Sequence, residues 1–225
     1  MRFDVMTLFP NWIETLTGDS ILGRAADAGL IEVHAHQIRE YSTDKHHRVD
    51  DTPYGGGMGM LMAAPPIYAC FQDICKQTDI KNRRVIYLSP RGTRLTQKRA
   101  TELASYDQLI LLCGHYEGVD QRVLDLICDE EISIGDYVLT GGELPACVLI
   151  DTVARLIPGV LADPICHTEE SFSSGLLEYP QYTRPRVFEG MEVPEVLQSG
   201  DHQKIAAWRL TESLKITKQN RPDLL

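Results

Sequence analysis

The chain has 225 residues, 43% of them hydrophobic and 24% charged, and a net charge of −10. That length suits one large domain or a main domain with an appendage, and it can bury about 70% of the unfolded surface without disulfides or metals. No apolar run approaches the roughly 20 residues of a membrane span, no cleavable leader is expected at the start of the sequence, and the acidic balance argues at first sight against a nucleic-acid partner.

Residues 2–8 predict an opening strand, stopped by Pro10. Residues 31–38 alternate apolar Ile31, Val33 and Ala35 with Glu32, His34 and His36, which predicts a half-buried strand. Four glycines (Gly55, Gly56, Gly57, Gly59) then fall within five positions, a loop whose backbone can approach a ligand closely. No Gly-Lys-Ser/Thr follows it and GxGxxG fails in every register, so it is neither a P-loop nor a dinucleotide fingerprint. A helix is predicted from Pro65-Pro66 to Gln77, with proline in the first turn.

Three short apolar runs follow, each breaking into a glycine- or proline-bearing loop. They are 85–88 into Ser89-Pro90-Arg91-Gly92, 109–113 into Gly114-His115-Tyr116-Glu117-Gly118, and 132–134 into the segment 135–143. In an open α/β sheet, ligands bind where such loops leave the carboxyl ends of neighbouring strands. The three loops are expected to wall one pocket for a small polar ligand. Helices are predicted at 96–104, 118–126 and 144–156, the last carrying Asp151 and Arg155 at i, i+4. Residues 161–174 lack periodicity and read as a linker, and a tail helix is predicted over 201–214.

Charge is unevenly placed. Residues 1–172 carry 15 basic and 25 acidic side chains, and residues 173–225 carry 7 of each. Within the acidic part, Lys81, Arg83, Arg84, Arg91, Arg94, Lys98 and Arg99 form a stretch free of acids, read as a solvated edge strand and helix face, with a phosphate-contacting surface as the alternative. The six cysteines form no CxxC pair and sit mostly in apolar runs, as reduced thiols of a cytoplasmic protein do. His34, His36, His46 and His47 lack metal-ligand spacing and read as surface histidines.

The motifs Asp50-Asp51-x-Pro-Tyr-Gly-Gly-Gly-x-Gly-Met, Tyr87-Leu88-Ser89-Pro90, Cys-Gly-x-Tyr-Glu-Gly-Val-Asp (113–120) and Ser-Ile-Gly-Asp-Tyr-Val-Leu-Thr-Gly-Gly-Glu-Leu-Pro (133–145) occur in order. With Tyr182-Thr183-Arg184-Pro185 and Glu-Gly-Met-Glu-Val-Pro (189–194), they resemble the bacterial tRNA (guanine-N1)-methyltransferases of the SPOUT superfamily across essentially the whole chain. The resemblance implies an α/β trefoil-knotted domain with a parallel sheet over 1–160, a flexible linker over 161–174, and a small, mainly helical tRNA-binding domain over 175–225. It also implies an obligate homodimer with active sites at the subunit interface. The implied reaction moves a methyl group from S-adenosylmethionine to N1 of the guanosine 3′ to the anticodon, with Mg²⁺ as a possible further requirement.

Carried over, Tyr87, Leu88, Ser89 and Pro90 line one side of the cofactor, and Gly114, Tyr116, Glu117 and Gly118 another. Ile134, Gly135, Asp136, Tyr137, Val138, Leu139, Gly141, Gly142 and Pro145 complete the cradle. Glu117 balances the ligand's positive charge or, read from the sequence alone, simply favours a helix N-terminus. The resemblance places Arg155 on the guanine oxygen and Glu170 as general base, where the family has aspartate; the longer acid changes reach while its intrinsic pKa hardly differs. Arg155 could equally pair with Asp151, Glu169 is the neighbouring candidate base, and both acids could merely cap the next element. Asp51, Gly59 and Gln181 are expected substrate contacts, with Thr52, Met58 and Gln181 departing from the family's usual residues.

Overall fold

Strands that are apolar throughout must be covered on both faces, because successive side chains point to opposite sides. β5 (Arg83–Arg94) and β6 (Gln108–Cys113) contain such runs. The structure, a computed structural model in which residues 1–162 and 170–225 are described, covers them on both sides. β1 (Arg2–Thr7), β2 (Glu32–Gln37), β5, β6 and β7 (Glu130–Ser133) form a parallel sheet in the order β2-β1-β6-β5-β7. Ile86, Leu88, Leu109, Leu111 and Cys113 pack against α1 (Pro10–Thr17), α2 (Ser20–Asp27), α4 (Gln97–Leu103) and α6 (Glu143–Ala154). Val85, Tyr87, Ile110 and Leu112 face α3 (Ala64–Gln77) and α5 (Gln121–Ile127) on the other side. No helix among the described residues is long and apolar enough to cross a membrane.

Local chemistry sets the boundaries. Thr96 caps α4 by accepting the Arg99 N–H. The helix predicted from Gly118 begins instead at Gln121, because Asp120 caps it and the preceding backbone is engaged elsewhere. Met62, in β4 (Leu61–Met62), donates to Gly118 O at 2.9 Å and accepts from Asp120 N at 3.0 Å. β4 pairs with β3 (Asp50–Asp51), so the glycine-rich loop between them is the tip of a hairpin stitched to the segment after β6.

β5 departs most from the sequence reading. The predicted strand 85–88 continues through Ser89-Pro90-Arg91-Gly92 to Arg94, and Leu88 and Thr93 both register with Ile132 of β7. A strand residue has one ladder neighbour on each edge, so these two meet Ile132 from opposite sides and 89–92 crosses the strand. Gly92 makes the crossing possible: a Cβ there would stand 2.5 Å from Glu131 C and Ile132 N. β5 is therefore internal to the sheet, not the solvated edge expected from its arginines. Arg83 donates to Ile80 O at 2.8 Å, and the other arginines of the stretch are occupied by carboxylates. Arg84 bonds Glu130 at 2.9 Å, Arg91 bonds Glu131 at 2.9 Å, Arg94 bonds Asp136 at 2.5 Å, and Arg99 bonds Glu102 at 2.6 Å as well as Glu130.

By contact density the chain divides into residues 1–162 and 163–225. In the second unit, β8 (Val187–Phe188) and β9 (Met191–Glu192) form a hairpin, and α7 (His202–Asn220) follows Asp201, whose side chain accepts the Lys204 N–H. α7 outruns the prediction of 201–214, since no helix breaker precedes Pro222. Tyr179 lies under the Arg209 guanidinium at 4.7 Å. Cys70, Cys75, Cys113, Cys128 and Cys147 are free thiols.

One buried charge ties three strands together. Asp4 of β1 is fully buried and accepts from Arg2 at 2.7 Å, Gln108 at 2.7 Å and His36 at 2.8 Å. Burial alone would raise its carboxyl, but the bonds from His36, Arg2 and Gln108 outweigh it and hold it well below the usual carboxylate range. A carboxyl lowered on folding contributes in full above its unfolded pKa of about 3.9 and loses that contribution as pH falls toward the folded value. Asp4→Ala, which removes the close partner of Arg2 and leaves it only Glu32 at 3.8 Å, is expected to cost about 3 kcal/mol at neutral pH. In urea unfolding, the gap from wild type should narrow once the pH drops below about 4; a gap that stays constant contradicts this.

Candidate active site

β6, β5 and β7 are neighbours in the sheet, so the loops leaving their carboxyl ends converge. They enclose a cavity of about 390 Å³ in the first unit, within the range of small-molecule sites. Tyr87, Leu88, Ser89 and Pro90 from β5 line it, with Gly114, Tyr116, Glu117 and Gly118 after β6. Ile134, Gly135, Tyr137, Val138, Leu139, Gly141, Gly142 and Pro145 complete the wall after β7. Arg91, His115 and Thr140, members of the three loops expected to wall the pocket, line it as well, as do Leu61, Val119, Ile132 and Ser133. Leu61 enters through the β3–β4 hairpin, a pairing no local pattern announces. Val119, Ser133 and Thr140 lie inside the quoted motifs and Arg91 and His115 inside the expected loops, so all five were within reach of the sequence. Asp136, expected in the cradle, is outside the lining; its carboxylate accepts from Arg94.

The walls are close because side chains are missing. A Cβ on Gly142 would lie 2.6 Å from Cys113 Cα and 2.9 Å from Gly114 N, and the Gly142 N–H donates to Gly114 O at 2.9 Å. A Cβ on Gly114 would lie 2.8 Å from the Tyr87 hydroxyl. Burial, then the charge of Glu131, raises the Tyr87 phenol, so it stays protonated as a donor. Tyr116 holds a positive φ of 59°, and its hydroxyl accepts from Arg39 at 3.2 Å. His115 Nδ1 is buried without a hydrogen-bond partner among the described residues.

Glu117 sits four residues before α5, which removes the helix-terminus reading of it. Its side chain lies against Gly59, where a Cβ would come within 2.4 Å, and its N–H donates to Met60 O at 3.0 Å. The glycine-rich hairpin thus flanks the cavity wall. Asp51, at the start of that loop, accepts from Thr52 N at 2.7 Å.

Arg155 closes α6, its backbone N–H bonding Asp151 O at 3.2 Å. Glu170 belongs to the second unit, half-buried, its carbonyl accepting both Ser173 N at 3.2 Å and Ser173 Oγ at 2.8 Å. Gln181, also in that unit, is exposed and donates to Glu178. Glu169 lies outside the described residues, as does half of the expected linker. Among the described residues no three His, Cys, Asp or Glu side chains come together as metal ligands.

A glycine-walled cavity at the carboxyl ends of adjacent parallel strands, rich in loop backbone, defines an α/β domain with the strand-end crevice in which this class of fold takes small ligands. The family model described as tRNA (Guanine-1)-methyltransferase TrmD matches residues 1–225, and the chain belongs to that family. A tRNA (guanine-N(1)-)-methyltransferase of Clostridioides difficile is 54% identical over 224 residues, covering 100% of this chain and 97% of that protein. Proteins of the same name from Alkaliphilus oremlandii and Ruminiclostridium cellulolyticum are each 56% identical, covering all of this chain and 92% and 96% of theirs.

The family implies S-adenosylmethionine, and the cavity fits it on this chain's own geometry: glycines where a Cβ would collide, and an orphaned ring nitrogen on the wall. Gly142→Ala is expected to push α6 off the end of β6 and weaken S-adenosylmethionine binding by about tenfold or more. Gly29→Ala, at φ 69° with open space around the missing Cβ, should cost about 1 kcal/mol of stability and leave binding intact. Calorimetric titration and thermal melts read both.

Proposed function

We propose that this chain transfers the methyl group of S-adenosylmethionine to N1 of the guanosine immediately 3′ to the anticodon of tRNA. The observation that carries the reading is the meeting of the three loops around one glycine-lined cavity, in a chain matched by the family over its whole length. When bound, S-adenosylmethionine supplies a methyl carbon on a cationic sulfur, and sulfur keeps the bonding pair and becomes a neutral thioether as the carbon–nitrogen bond forms.

The protein must do the rest. Guanine N1 carries a proton in neutral water, so a base has to remove it before or as the new bond forms. We assign that base to Glu170, whose carboxylate takes the N1 proton. Arg155 is assigned to the guanine oxygen, where its guanidinium stabilises the negative charge that builds as the proton leaves. Apolar Leu88, Ile134, Leu139 and Pro145 give the adenine its walls while loop amides and carbonyls read its edge. Asp51, Gly59 and Gln181 are proposed contacts to the target nucleotide and its neighbours, and the unit containing α7 is proposed to hold tRNA. Turning a base out of its stack costs a few kcal/mol, least in a loop.

The double registry of Ile132 supports the family's knot, since a strand wrapped by its neighbour is the geometry that threading needs. The homodimer is proposed to use α1 and α6, which pack side by side. They leave Trp12 (51%), Leu16 (50%), Leu144 (44%) and Val148 (44%) exposed. Large apolar groups gathered on one face mark an interface. Trp12 and Leu144 also border a second hollow with Val138 and Leu139, against the cofactor loop, so a partner there would complete the site.

Wild-type chain, radiolabelled methyl donor and a tRNA transcript bearing guanosine at the target position test the reaction. Label should enter, and the product should arrest reverse transcription, because N1 methylation blocks pairing. No incorporation, or a product that permits readthrough, overturns the reading. Glu170→Ala and Arg155→Ala should each lower turnover by about 10² or more with cofactor affinity unchanged; retained turnover removes the role. Leu16→Asp with Val148→Asp should give monomers in sedimentation and lose activity together.

A further inference from the structure

Glu143 has no part in the scheme above, yet it is 3% exposed at the first residue of α6. A buried carboxylate has to be met by donors. One comes from the far end of the chain: the Thr7 hydroxyl, at the end of β1, donates to Glu143 Oε1 at 2.7 Å. Thr7 Oγ1 is itself oriented by accepting the Phe9 N–H at 2.9 Å. The partial positive charge at the start of α6 favours the same carboxylate.

The second oxygen points toward the cavity loop. Glu143 Oε2 lies 2.5 Å, and His115 Nδ1 lies 2.9 Å, from the position a Gly141 Cβ would occupy. An acceptor oxygen and an orphaned, buried ring nitrogen therefore crowd the same small volume, which only the absence of a side chain at Gly141 leaves open. Gly141 and His115 are both cavity residues, on different loops. Those loops are joined one residue further on by the bond from Gly142 to Gly114.

We propose that Glu143 is a positioning residue for methyl transfer: braced by Thr7, its carboxylate accepts a hydrogen bond from His115 Nδ1 when the cavity fills, latching the 134–142 loop to the 114–118 loop around the methyl donor. The latch rests on the methyl-donor reading of the cavity. It gives His115 Nδ1 a partner and fixes its tautomer, with the proton on Nδ1. A carboxylate that only capped α6 would affect stability and nothing else. A latch across two loops holds one ligand, so its loss appears in the donor's affinity and not in that of tRNA.

Glu143→Gln and Thr7→Val are expected to raise both Kd and KM for S-adenosylmethionine by about tenfold, with KM for tRNA unchanged, and Thr7→Ser should restore wild-type values. Nitrogen NMR of ring-labelled protein should show a protected His115 Nδ1 proton appearing on addition of S-adenosylmethionine to wild type, and absent in Glu143→Gln. His115→Asn, whose amide can donate from the same position, should bind the donor better than His115→Phe. The proposal is overturned if folded Thr7→Val binds the donor normally, if donor and tRNA constants rise together, or if no Nδ1 proton appears. Should Glu143→Gln fail to fold, the Thr7 and His115 pairs decide the matter by the same readouts. A wild-type chain that binds no donor overturns the cavity reading and the latch with it, which separates the two failures.

Discussion

The site depends on how closely the chain before α6 lies on the end of β6. Gly142 rests against Cys113 and Gly114 at a separation no side chain could share, and its amide bonds the Gly114 carbonyl. This contact sets where α6 begins and how far the third loop stands from the second. The cavity is what remains between them once Tyr87 has filled the space beside Gly114. Because backbone meets backbone, the wall cannot relax by a rotamer change, and rigidity of this kind lets a site act without reorganising.

The wrap of β5 around β7 works in the same direction. Residues 87–91 supply the first wall of the cavity, and β5 meets Ile132 at both Leu88 and Thr93, so that wall is anchored in the sheet at both of its ends. Arg84 and Arg91 fasten the same pair of strands by their bonds to Glu130 and Glu131, Arg94 reaches Asp136 in the following loop, and Arg99 reaches back from α4 to Glu130. A run of arginines that looked like a free cationic face is thus matched internally by carboxylates. Glu143 extends the principle to the third loop, tying the start of α6 to the end of β1 across more than half the chain.

Much of this was legible in the sequence. The opening strand, the proline-initiated α3, the capped α4 and the three strand–loop units follow from period, punctuation and capping residues, and they put each of the three loops at the carboxyl end of a strand. The order of the motifs added the family and with it the chemistry. Boundaries failed where a segment had a distant partner. α5 starts late because Met62 engages Gly118 and Asp120, and β5 runs on because Ile132 receives it twice. Asp136 was grouped with its loop because sequence adjacency does not tell which way a side chain faces.

What the sequence determined by itself was the class of fold, the residues able to form a close-walled pocket, and the reaction they serve, since local patterning and motif order carry that information along the chain. Only the tertiary structure decided that Arg84, Arg91 and Arg94 of β5 face carboxylates, that Leu61 joins the wall, and that Thr7 meets Glu143. These are encounters between residues far apart in the chain, created when the sheet assembles, and no spacing within a single segment encodes them.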